Sequence, residues 1–116
     1  MSVTPAQVEK RIYDLSKEID EAHNDLIDAE QLFHHTVAQY EIAMAKSRMK
    51  NSHSDMKMTA QMREDSAIIE NAELHFQVAS AEAQVKAARA NANRLKTQVD
   101  IARSISVSVR NEMSVS

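Results

Sequence analysis

The chain has 116 residues, with no glycine, no cysteine, one proline, two tyrosines, two phenylalanines and a formal net charge of −3. Glycine supplies the φ > 0 backbone of tight hairpins and phosphate-cradling loops, so its absence argues against β-hairpin folds, Rossmann sites and P-loops. The missing cysteine excludes disulfides, thiol chemistry and cysteine-based zinc sites. Seventeen alanines, among many Glu, Gln, Lys, Arg and Met, favour helix over every alternative.

The first predicted element is a helix over about 5–50. Thr4 is a good N-cap, Pro5 suits the first helical position, and Gln7 completes a Thr-x-x-Gln capping box. Ile12, Ile19, Leu26, Phe33 and Tyr40 recur every seven residues and are taken as position a. Val8, Leu15, Ala22, Ala29, Thr36 and Ala43 are then position d. The shrinkage of the d residues to alanine allows close approach of a partner helix.

A connector is predicted at about 51–58. Asn51, Ser52, His53 and Ser54 form the stretch poorest in helix formers, and their side chains compete for backbone hydrogen bonds. Thr59 is the expected N-cap of a second helix over about 59–110, with Glu64 and Asp65 favourable near its start. Val78, Val85, Ala92 and Val99 form one sevenfold line, and Leu74, Ala81, Ala88, Leu95, Ala102 and Val109 another. A further apolar line runs through Ile69, Ala72, Phe76, Ala79, Ala83 and Ala90. A stripe this wide suggests contact with more than one neighbour, though alanine is also tolerated on solvated faces. Ser104–Val109 alternates polar and apolar residues, but a lone strand has no partner. The helix is expected to fray near Arg110, leaving 111–116 as a tail.

The pattern predicts an all-α fold in one domain: a long antiparallel two-helix hairpin, a coiled coil that assembles into a helical-bundle oligomer. Its expected seam comprises Ile12, Leu15, Ile19, Leu26, Phe33, Tyr40, Ile69, Phe76, Val78, Val85, Leu95 and Val99. Antiparallel pairing about residue 55 places Ile12 near Val99 and Tyr40 near Ile69 or Ala72.

Charge is uneven. Residues 9–30 are acid-rich, and residues 84–110 carry Lys86, Arg89, Arg94, Lys96, Arg103 and Arg110 against Asp100 alone. Side by side, these segments would fix the antiparallel register; alternatively part of the basic stripe turns outward to phosphates. A second basic cluster, Lys46, Arg48, Lys50, Lys57 and Arg63, lies about the connector with Met44, Met49, Met56, Met58 and Met62. Asp55 is the one acid in 42–63, so no acidic segment is expected opposite this tip. The tip suits nucleic acid or an adaptable protein groove, or its methionines cap the hairpin core. No aromatic residue lies between Tyr40 and Phe76, which counts against stacking on single-stranded bases.

The five histidines lack metal spacing: His34 and His35 point about 100° apart on one helix, and no Glu stands three residues before any of the five. No catalytic residue, metal or cofactor is expected, and the chain reads as a non-enzyme. No apolar run approaches the roughly 18 residues of a membrane span. With no signal-peptide pattern, a soluble, cytoplasmic protein is expected.

The stretches Tyr40–Lys50, Thr59–Glu64, Ala81–Arg89 and Arg103–Arg110 resemble a group of small all-helical bacteriophage proteins of unknown function. The shared pattern is an aromatic followed by Ala and Lys/Arg repeats, a short break, a Thr-x-x-x-Arg-Glu helix start, and an Ala-rich helix ending near Arg-Ser…Arg. Such proteins are often encoded near phage recombination or single-strand annealing genes. The resemblance implies a phage origin, a host-cytoplasmic location and a recombination accessory role. This chain departs from the pattern in its serine- and methionine-rich connector. The expected function is a non-enzymatic structural or interaction protein, a homo-oligomer of two or more copies that binds a partner protein. The alternative is a nucleic-acid-binding accessory factor acting through the basic tip and stripe.

Overall fold

A computed structural model describes residues 3–53 and 58–115, and every regular element in them is helical. α1 spans Pro5–Ser52, α2 spans Ala60–Glu70 and α3 spans Ala72–Val115. The expected capping box forms: the Thr4 N–H donates to Gln7 Oε1 at 3.0 Å, and the Gln7 N–H donates to Thr4 Oγ1 at 3.2 Å. Thr59 caps α2 in extended backbone, accepting the Met62 N–H at 3.1 Å. The first turn of α2 holds no acid. Glu64 is used across the helix pair instead.

The fold is the all-α helical hairpin; α1 runs on through Asn51 to Ser52, into the expected connector, whose residues 54–57 lie outside the described ones, and the second arm departs from its expected bounds twice. The second arm is broken at Asn71 (φ −111°, ψ 26°), where the backbone N–H reaches both Ala67 O at 3.1 Å and Ile68 O at 3.2 Å. The Asn71 Nδ2 also donates to Ala67 O at 2.8 Å, so the side chain competes for the carbonyl that continues the helix. Helix also persists to Val115, past the tail expected from 111. Ser106 is buried as the continuation of the Val85–Ala92–Val99 line, and Arg110 donates to its hydroxyl one turn on at 3.2 Å. That packing overrides the local period-2 pattern.

The chain divides into two compact units. One comprises Met1–Ile27 and Lys86–Ser116, the other Asp28–Val85. The first has an apolar core of Leu15, Ala22, Leu95, Val99 and Ala102, with Ile12, Ile19 and Ala92 packed against it. Leu15 is 1% exposed. Burial of a leucine contributes about 1.5–3 kcal/mol. The expected neighbourhood of Ile12 and Val99 is present in this cluster.

The second unit has a more polar interior, in which Thr36, Met44, Ser47, Asn51, Ala67, Ala81 and Val85 are buried. Asn71 Nδ2 donates to Ser47 Oγ at 2.9 Å and lies 3.8 Å from Met44 Sδ. Position d of α1 does not continue unchanged. Val8, Leu15, Ala22 and Thr36 follow sevenfold spacing, but the buried residue is then Met44 rather than the half-buried Ala43. Two successive steps of four, from Thr36 to Tyr40 to Met44, locally unwind the heptad geometry. The Tyr40 ring meets His75, centroids 5.6 Å apart.

Candidate functional site

Leu15, Val85, Leu95 and Val99 are buried, and Ile12, Ile19, Leu26, Phe33, Tyr40 and Val78 are half-buried. Ile69 and Phe76 depart from the expected seam, at 75% and 68% exposed. They lie two residues from Ala67 and Leu74, about 200° round the helix from the packed side. Their sevenfold line exists, but it faces solvent. Met62, Ala72, Ala79 and Ala83 share the 3–4 spacing of that line and are also exposed.

The basic tip is not left unopposed. Arg48 donates to Glu64 from both Nε (2.8 Å) and Nη2 (2.9 Å), a bidentate pair across the end of the second unit. Lys50 Nζ lies 3.7 Å from Glu70. The Arg48 hydrogen bonds, reinforced by its charge, hold the Glu64 carboxyl below the usual range and raise the guanidinium in turn. Arg63 is half-buried and donates to Met58 O at 3.1 Å. Lys46 is exposed, and Lys57 lies outside the described residues. The acids were missed because Glu64 and Glu70 fall just past the 42–63 window and oppose the tip only once the chain has turned.

The remaining candidates, Lys86, Arg89, Arg94, Lys96 and Arg103, are exposed along α3. Arg94 donates to Asn91 Oδ1 at 2.9 Å. Within the first unit, Glu18, Glu21 and Asp25 line one polar groove with Arg94, over Ala22 and Leu95. The acidic and basic segments therefore do lie side by side there. Arg11 spans this unit to Gln98 Oε1 at 3.2 Å.

No His, Asp or Glu cluster among the described residues could hold a metal ion. No helix of the described residues is long and apolar enough to cross a membrane. The most chemically distinctive surface is thus the outward apolar line of α2 and α3. Comparison with known proteins finds no family model that matches the chain, no similar curated protein and no matching solved structure.

Proposed function

We propose that the chain is a non-enzymatic structural and interaction protein, a coiled-coil hairpin protomer that self-associates into a helical bundle and docks a partner protein. The observation that carries this is the exposed heptad line Met62, Ile69, Ala72, Phe76, Ala79 and Ala83, on the face of α2 and α3 opposite the packed seam. A helix with two apolar stripes at coiled-coil spacing is built for two helical neighbours, and the chain supplies one. Light scattering across a concentration series tests it. Mass above the monomer, rising with concentration, is expected. A helical species that stays monomeric at high micromolar concentration defeats the assembly.

The exposed Arg94, Lys96 and Arg103 favour one second reading, a nucleic-acid-binding accessory factor of the kind that the resemblance to phage proteins implies. The pairing of Arg48 with Glu64 and of Lys50 with Glu70 weakens the tip's part in it. A phosphate site predicts affinity that falls linearly with log salt and drops when Lys96 and Arg103 become alanine. Absence of DNA binding at low salt removes this reading.

A further inference from the structure

Met44 is 3% exposed, while Met49 and Met62 of the same unit lie at the surface. Its Sδ stands 3.8 Å from Asn71 Nδ2, which also donates to Ser47 Oγ at 2.9 Å and to Ala67 O at 2.8 Å. A side-chain amide has two hydrogens, so the two oxygens take them and the thioether is left as a weak third acceptor. Around Met44 the interior of the second unit is otherwise small or polar, with Thr36, Ser47, Asn51, Ala67 and Ala81 buried. Asn51 Nδ2 is buried with no hydrogen-bond partner among the described residues, so the unit already holds one unmet polar group. The first unit differs: its core cluster of Leu15, Ala22, Leu95, Val99 and Ala102 holds no methionine.

We propose that Met44 is an oxidation site that opens the second unit: a peroxide converts its thioether to the sulfoxide, and the arms of that unit then part while the core of the first unit stays closed. The sulfur attacks one peroxide oxygen. The S–O bond forms, the O–O bond breaks, and the second oxygen leaves as water with both protons. The sulfur loses two electrons and the peroxide gains them. A sulfur this buried is reached only when the arms separate, so the peroxide samples the open form of the unit. The product is polar and bulkier than the thioether. On reclosure its oxygen finds both hydrogens of the Asn71 amide committed, and it either goes unpaired or takes one from Ser47 or Ala67. Burying a polar group on those terms favours the open form. Sulfoxide reductases reverse the chemistry, which makes the site a switch. Nothing in this depends on the self-association proposed above.

The test treats three full-length proteins with hydrogen peroxide: the wild type, Met44→Leu, and Met49→Leu with Met62→Leu. Leucine conserves volume and does not react, so each variant should start folded, which circular dichroism checks. Peptide mass spectrometry reads oxidation at each methionine. Amide exchange reads opening at 36–47 and 67–81 in the second unit and at 12–22 and 92–102 in the first. In the wild type, Met44 should convert more slowly than Met49 and Met62. Exchange in the second unit should then rise on the order of tenfold, with the first unit unchanged. The Met49→Leu/Met62→Leu protein should open in the same way, and Met44→Leu should stay closed. Four results overturn the proposal. Met44 may resist after the exposed methionines are fully converted, or convert without faster exchange. Met44→Leu may open as the wild type does, which assigns the effect to the surface methionines. Exchange may rise equally in both units, which shows general unfolding.

Discussion

A single side chain in this protein acts according to what lies across the helix pair from it. Leu15 is enclosed by the cluster of Ala22, Leu95, Val99 and Ala102, so Leu15→Ala leaves a cavity in a thin core. The expected loss is about 2–3 kcal/mol, read as a lower urea midpoint. Phe76→Ala, by contrast, removes a larger ring that is 68% exposed and meets the neighbouring His75 ring edge-on at the surface, centroids 6.5 Å apart, and should lower the stability of the dilute monomer far less than Leu15→Ala does.

The Arg48–Glu64 pair gives a pH signature at the same scale. Both side chains are substantially exposed, 49% and 41%, so the pair is screened by salt and adds little stability. It still fixes the direction of titration. Because Glu64 is held below its ordinary range, the pair's contribution is complete above the ordinary carboxylate pKa. It is lost as the pH falls through Glu64's lowered value. Side-chain NMR should find Glu64 titrating below the ordinary glutamate value, and Arg48→Met should return it towards that value. An unmoved Glu64 in that variant would show that the pair does not form in solution.

The helices depend on their ends and on one internal polar group. Thr59 accepts the Met62 N–H at the start of α2, and Thr59→Ala should cost about 1 kcal/mol. Amide exchange should then accelerate first in the early turns of α2. Asn71 is a different device. It ends α2, holds Ser47 from across the pair, and stands in line with the buried Ala67, where an apolar residue would pack better. A polar asparagine at a seam position of a coiled coil fixes register at a cost in stability, and the half-buried Asn71 sits at one. Asn71→Leu should therefore melt at an equal or higher temperature while broadening amide resonances around Met44–Ser47 as alternative registers become populated. A lower melting temperature with sharp resonances would show Asn71 to be simply stabilising.

At the scale of the whole molecule, each helix has one side covered by its own chain. An assembly of copies predicts a melting temperature that rises with protein concentration, since only the associated state gains the extra burial. The Ile69→Gln/Phe76→Gln variant should lose that concentration dependence. A melting temperature independent of concentration in the wild type would contradict the assembly.

Composition, capping and period were enough to read the helical class, the start of α1 at Thr4, the cap at Thr59 and the sevenfold lines through Leu15 and Val99, because these follow from interactions within a few residues. Tertiary structure decided which lines are inside. A helix bearing two apolar stripes presents equivalent candidates to a reader of sequence, and burial of Ala67, Ala81 and Val85 left Ile69 and Phe76 outside. The hold of Asn71 on Ser47 and the pairing of Arg48 with Glu64 were likewise invisible, since each depends on residues brought together only when the chain reverses. The sequence by itself determined the helices and their heptads, through local hydrogen bonding and side-chain period. Only the packing of one arm on the other decided which heptad faces solvent, because each stripe competes for one partner surface and the excluded stripe is left exposed.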